Sequence, residues 1–257
     1  MKDTIVDMLL QAHKSKKPIP FISEKHTIDE KSAYRIQEKL ISKKSMLEKS
    51  TKIAGYKISM TSAETQAIAN TDEPAFGTLL PSNLVNSGDS ISMSSLFSPL
   101  IEPELIFILT EDLSIGANEQ EILTKSKLAA GIEIPDARYI DWFPNFTLSD
   151  LVCDNTATGL VVLSTPVSPP SHHLLRNIKM NLFHNGVKVA EGNSSAVLGN
   201  PTSSIKWLTQ KLAKNQKSLK KGMAISSGTF IPPLIAKKGT YSVDYDGIGQ
   251  VNITLTA

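Results

Sequence analysis

Apolar positions in the first fifty residues recur at helical spacing. Between Asp3 and Lys16, Ile5, Leu9 and Ala12 share one face, with Val6, Leu10 and His13 beside it. Pro18 and Pro20 end that pattern. Thr27 and Glu30 form a capping-box pair, which predicts a second helix from Thr27 towards Ser50 with Ala33, Ile36 and Leu40 on one side. From Lys52 onward the period shortens. IAGYKISM, GTLL, ISM and IEPELIFIL read as strands, and TSAETQAIA as a short helix between them. Asn118 and Glu121 predict a helix running to Ala130, followed by GIEIP as a short strand stopped at Pro135. Asn185-Gly186 between alternating runs predicts a hairpin with a type I′ turn, and Asp246-Gly247 a second one. Asn200-Pro201 opens a helix with Ile205, Leu208 and Leu212 on one face.

Strands dominate, helices are inserted among them, and no glycine-rich phosphate loop follows a strand. The pattern implies an α+β fold built on a mixed, mainly antiparallel curved sheet. Residues 1–50 read as a helical appendage and residues 51–257 as the catalytic domain.

Within IEPELIFIL, Glu102 and Glu104 point to the same face of an extended chain. A solvated edge strand would carry charges at alternate positions as a matter of course. Here Ile106 and Ile108 continue the same face, and Leu105, Phe107 and Leu109 make the other face apolar too. A strand buried on both sides needs partners for two like charges, and a divalent cation with oxygen ligands supplies one. Glu133, a lone acid inside GIEIP, is the third candidate ligand, against the alternative of a strand end facing water. Lys57 is a cation in the middle of the IAGYKISM run. It is either an ordinary surface lysine or, beside a metal and an anion, a proton carrier.

Composition adjusts this picture in three ways. Of 257 residues, 40% are hydrophobic and 20% charged, enough apolar material for a large core. The net charge of +2 comes with no basic stripe interleaved with aromatics, which argues against a nucleic-acid partner. The single cysteine, Cys153, excludes a disulfide framework within one chain. No apolar run reaches membrane-spanning length and MKDTIVDMLLQAHKSKK lacks the organisation of a secretory signal, so a cytoplasmic protein without a membrane partner is expected.

GYKISMTS, DEPAFGTLL, IEPELIFIL, GIEIPDARYIDW, DNTATG, LGNP and SGTF occur in an order that resembles the fumarylacetoacetate hydrolase superfamily. The closest likeness within it is to 2-keto-4-pentenoate hydratases and 4-oxalocrotonate decarboxylases. The resemblance covers roughly Ala54 to the C-terminus. It implies a curved β-sandwich-like core, a homo-oligomer, a Mg²⁺ or Mn²⁺ ion held by Glu102, Glu104 and Glu133, and Lys57 acting on a small unsaturated 2-oxo acid. The implied activity is that of a carbon–oxygen lyase, with a decarboxylase as runner-up. An acylpyruvate-type C–C hydrolase and a non-catalytic protein of the same fold are further alternatives.

One stretch departs from the pattern. Many hydratases of the family resemble D-x-P-D-F-G, whereas this chain reads DEPAFG and Ala75 takes the place of the second acid. That departure raises the decarboxylase reading. Arg138 is a candidate for holding a substrate carboxylate, or else an ion pair of Asp136 or Asp141. Ser227, Gly228 and Thr229 are candidates for offering hydroxyls and N–H groups to the substrate, or else an ordinary polar loop. The five histidines show no ligand spacing, and Cys153 reads as a small buried residue.

Overall fold

The computed structural model describes residues 2–50 and 52–257. The helices are α1 (Lys2–Ser15), α2 (Glu30–Leu47), α3 (Ala63–Ile68), α4 (Glu119–Thr124), α5 (Trp142–Asn145, a single irregular turn), α6 (Leu148–Cys153), α7 (His172–Leu175) and α8 (Pro201–Ala213). The strands begin with β1 (Gly55–Ser59), β2 (Ala75–Leu79), β3 (Leu84–Asn86), β4 (Ser90–Ser92), β5 (Leu100–Leu109) and β6 (Ser126–Ile134). They continue with β7 (Leu160–Leu163), β8 (Lys179–His184), β9 (Val187–Asn193), β10 (Ala224–Thr229), β11 (Leu234–Ile235), β12 (Gly239–Tyr245) and β13 (Gly249–Thr256).

Two sheets stack. The larger runs β2-β1-β10-β5-β6-β7-β3, with β11 on the end of β5; the smaller runs β4-β13-β12-β8-β9. Most pairs are antiparallel, and β1·β10, β3·β7 and β4·β13 are parallel. The expected mixed curved sheet is therefore present. Both predicted hairpins form: Asn185 and Gly186 take φ of 51° and 79°, the left-handed values a type I′ turn demands.

Two faces of β5 do different work. Leu105, Phe107 and Leu109, with Leu128, Ala130 and Ile132 of β6, pack onto Val243, Tyr245, Val251 and Ile253 of the smaller sheet. The opposite face carries Ile106 and Ala129 with Leu79, Val161 and Ala224, a smaller apolar cluster. Glu102, Glu104 and Glu133 project from this second face, continuing its alternation. A third cluster joins α1, α2 and α6 to Met60, Ala75, Leu100 and Tyr139, so the N-terminal helices close over one end of the larger sheet.

Two sequence expectations are corrected. The second helix starts at Glu30, because Asp29 rather than Thr27 is the N-cap, its Oδ1 accepting from Ser32 N at 2.6 Å. Ile28, just before the cap, packs into the helical cluster and fixes the entry. The helix capped by Asn118 ends at Thr124, and the alanine-rich run after it is strand β6. Pairing with β5 along Glu102–Leu109 and with β7 along Leu160–Leu163 outweighs the intrinsic helical preference of Ala129 and Ala130, which tertiary pairing readily overrides.

Phe107 is fully buried between the two sheets. Phe107→Ala is expected to lower unfolding stability by about 3–5 kcal/mol, read as a reduced urea midpoint with an unchanged slope.

Candidate active site

The sheet register brings four of the predicted residues together. On adjacent antiparallel strands, Glu102 lies opposite Glu133, and Glu104 lies opposite Gly131. On the far side of β5, β10 carries Ser226 next to Lys57 of β1. One carboxylate oxygen from each of Glu102, Glu104 and Glu133 falls within 4.8 Å of the other two. Lys57 Nζ sits 2.8 Å from Glu133 Oε1. All four side chains are buried, Glu102 the least so at 7% exposure.

Glycines make room for this arrangement. A Cβ on Gly77, opposite Lys57, would lie 2.2 Å from Thr158 Oγ1 and 3.2 Å from Lys57 Cγ. A Cβ on Gly131 would lie 2.4 Å from Ile106 Cγ1. The β10 ladder shifts register between Ser226 and Thr229. That bulge turns the Gly228 N–H inward, where it donates to Glu104 Oε2 at 2.8 Å, and Ser226 Oγ donates to the same oxygen at 2.6 Å. Gly228, at φ 115°, sits so close to Thr61 that a Cβ would lie 2.3 Å from its Oγ1.

The charges do not balance. Three carboxylates face one ammonium, and Glu104 Oε1 and Glu133 Oε2 are buried with no hydrogen-bond donor. Burial, then the charge of Glu133, pushes the Glu102 carboxyl up to about 8. Burial, then Glu133 and Glu102, holds Glu104 well above the usual carboxylate range. For Lys57, burial favours the neutral amine, but Glu133 and Glu102 outweigh it and raise the ammonium above its ordinary value. Such a cluster of hard oxygen donors suits a divalent cation, which would satisfy the orphaned atoms and offset the surplus negative charge.

A cavity reaches Lys57 and Glu102. Its other walls are largely apolar: Met60, Ile68, Leu100, Trp142, Phe143 and Phe146 among them. Thr65, Thr156 and Thr229 add hydroxyls. This lining, apolar with a few convergent polar groups, is that of a small-molecule site.

Other predicted residues fall elsewhere. Arg138 is not part of the cavity wall. Its Nε donates to Asp154 Oδ1 at 2.6 Å, Nη1 to the carbonyls of Asp136 and Thr158, and Nη2 to the carbonyl of Asp154. It is an ion pair as anticipated, but with Asp154 rather than Asp136 or Asp141. Of Ser227, Gly228 and Thr229, only Thr229 lines the cavity, and Gly228 N–H serves Glu104. Ser227 Oγ is buried without a partner while its carbonyl accepts from Ser204 Oγ. Asn155 holds the backbone of Thr78 through both ends of its amide. His172, partly exposed, contacts Glu119 Oε2 at 2.7 Å. Cys153 is fully buried, and burial pushes its thiol up to about 12, so it is no nucleophile. Sequence reasoning missed Ser226. The available signal was two serines inside the otherwise apolar strand of AISSGTF.

No protein-family model matches the chain. Over 255 residues it is 31% identical to the 2-keto-4-pentenoate hydratase of Paraburkholderia xenovorans, covering 97% of this chain and 93% of that protein. The chain belongs to the 2-keto-4-pentenoate hydratase family. The family is one of lyase-type enzymes. The 2-oxo-hept-4-ene-1,7-dioate hydratase of Escherichia coli is 30% identical over 257 residues, with 96% and 95% covered. Among solved structures, 4-oxalocrotonate decarboxylase from Pseudomonas putida G7, complexed with magnesium and adipate, superposes with a TM-score of 0.88 at 23% identity over 98% of this chain and 96% of that one. Fumarylpyruvate hydrolase from Pseudomonas aeruginosa, in complex with Mn²⁺ and pyruvate, superposes with a TM-score of 0.61 at 12% identity over 78% and 88%. Hydratase-family membership thus comes with the fumarylacetoacetate hydrolase fold expected from the motifs.

Arg138→Met leaves Asp154 buried without its cation. It is expected to cost about 3–5 kcal/mol of stability in chemical denaturation, with divalent-metal affinity of the folded fraction unchanged by calorimetry. A loss of 2-oxo acid affinity with stability intact would instead make Arg138 a substrate ligand.

Proposed function

We propose that the protein is a metal-dependent hydratase that adds water to a small unsaturated 2-oxo acid. The observation that carries this reading is the set of three buried carboxylates beside one ammonium on an apolar cavity, in a chain of the hydratase family. Glu102, Glu104 and Glu133 would hold the ion, Mg²⁺ or Mn²⁺ by the hardness of an all-oxygen set. When bound, the ion supplies Lewis-acid stabilisation of negative charge on the 2-oxo oxygen.

The chain's own residues supply the rest. Ser226 Oγ and the Gly228 N–H fix Glu104 by one oxygen and leave the other free to point at the ion. Lys57, held at Glu133, carries a proton at Nζ where the substrate's polar end enters, and a positioned proton carrier contributes about 10²–10⁴-fold. The largely apolar cavity walls would hold the conjugated tail. Protonation of the dienol and addition of water across the conjugated bond give a 4-hydroxy-2-oxo acid.

Decarboxylation of a 2-oxo diacid is the second reading, and Ala75 favours it. Ala75 is buried in the helical cluster, and Glu73 nearby is tied to Lys211 Nζ at 2.6 Å and Trp207 Nε1 at 3.3 Å, so Glu73 does not replace the missing acid. The C–C hydrolase reading has less support, since among the described residues no histidine lines the cavity. We also propose a homo-oligomer working in the cytoplasm, in keeping with the family resemblance and the single buried thiol. Among the described residues no helix is long and apolar enough to cross a membrane.

Glu102→Gln and Glu104→Gln are expected to abolish metal-dependent turnover with the fold intact; full activity of both in chelator-treated buffer with added Mg²⁺ would remove the site assignment. Lys57→Ala should lower kcat by about 10²–10⁴ with metal affinity kept; equal loss of both would make Lys57 structural. Thermal melting should rise with Mg²⁺ and oxalate together, because both bind the native state. No shift would favour a non-catalytic protein of this fold.

A further inference from the structure

The smaller sheet carries no residue of the carboxylate cluster, yet one of its side chains reaches the strands that do. Tyr245 ends β12, where its backbone is fixed opposite Met180 of β8 and Gly249 of β13. Its side chain is buried in the core between the sheets, and its hydroxyl donates to the Gly131 carbonyl at 2.8 Å. Gly131 lies opposite Glu104 and two residues before Glu133. The phenol therefore grips the larger sheet between two of the three carboxylate positions, from the face away from the carboxylates.

The ring is held as well. It meets Phe230 edge-on, with centroids 5.5 Å apart and planes at 89°. Phe230 directly follows the β10 bulge, and its N–H donates at 3.1 Å to the carbonyl of Pro103, between Glu102 and Glu104. Burial, then the charge of Glu104, holds the Tyr245 phenol well above its ordinary value, so the hydroxyl keeps its proton and remains a donor. Phenylalanine would fill the same volume and lack only this bond. Tyr241, on the same face of β12, offers the contrast. It is equally buried, but it accepts the Lys237 N–H at 2.8 Å and stacks on His184, away from the strands of the cluster.

Resting on the metal-site reading above, we propose that Tyr245 is a positioning residue for the carboxylate cluster, its hydroxyl setting the spacing of Glu104 and Glu133 by holding the Gly131 carbonyl. Without that bond β5 and β6 stay paired, but the backbone gains freedom at Gly131, where no side chain resists movement. The carboxylates then spread under their mutual repulsion.

The test is calorimetric titration of Mn²⁺ into the unaltered protein, Tyr245→Phe and Tyr241→Phe, each shown folded by circular dichroism, with urea midpoints measured without metal. Each substitution removes one buried phenol hydroxyl and is expected to lower the midpoint. Tyr245→Phe is expected to weaken Mn²⁺ binding about tenfold, the lower end of the range for removing a group that orients a metal ligand. Tyr241→Phe should stay within about twofold of the unaltered protein, as distant sites act independently. Phe230→Leu keeps the hydroxyl but withdraws the edge-on contact, and should weaken Mn²⁺ binding by less than Tyr245→Phe does. Unchanged Mn²⁺ affinity in Tyr245→Phe, or an equal loss in both tyrosine variants, would overturn the inference and leave the metal site standing. Should Tyr245→Phe fail to fold, unchanged affinity in Phe230→Leu would overturn it instead. Absence of Mn²⁺ binding by the unaltered protein would overturn the metal-site reading, and the inference with it.

Discussion

The constraint on which the rest depends is a charge imbalance inside a sheet. Three carboxylates and one ammonium occupy neighbouring positions on three strands, out of reach of bulk water. Protein interiors tolerate such a surplus only when protonation, a hydrogen-bond shell or a cation absorbs it. Here the shell is partial. Glu104 has two donors on one oxygen and none on the other, and Glu133 Oε2 has no donor. The uncapped oxygens therefore leave protonation or a cation to balance the site.

That requirement explains features that would otherwise read as local oddities. Gly77 and Gly131 face the two charged positions because a side chain there would collide with Thr158 or Ile106. The parallel β1·β10 pairing, unusual in a mainly antiparallel sheet, sets Lys57 beside Ser226. The same strand β5 meets the smaller sheet through Leu105 and Phe107, so the carboxylates stand on a support fixed from behind. Rigidity of that kind keeps like charges close without their swinging apart.

Much of this was legible from the chain, and the reason is periodicity. Two glutamates at alternate positions inside a doubly apolar strand announced a buried charge problem, and the isolated Glu133 and Lys57 fitted it. What alternation cannot supply is lateral neighbourhood. Which strand lies beside β5, and so that Ser226 reaches Glu104, is set by sheet order, and that order depends on contacts far apart in sequence. From the sequence, Arg138 is a candidate substrate ligand or an ion pair of Asp136 or Asp141; only the fold sets Asp154 beside it. The alanine run of β6 reads as helical because alanine favours helix locally, yet strands on both sides decide its state. The apolar cavity was also out of reach, since it is assembled from α3, the irregular α5 turn and the sheet.

The irregularity in β10 has a consequence for how this chain can vary. A perfect ladder from Ser226 to Thr229 would direct every amide sideways into its neighbouring strands, and none towards Glu104. The extra length in that strand is thus functional spacing, so losing or gaining one residue there would realign the backbone and disarm the pocket in the same event. The residue count between Ser226 and Thr229 is held fixed by that geometry.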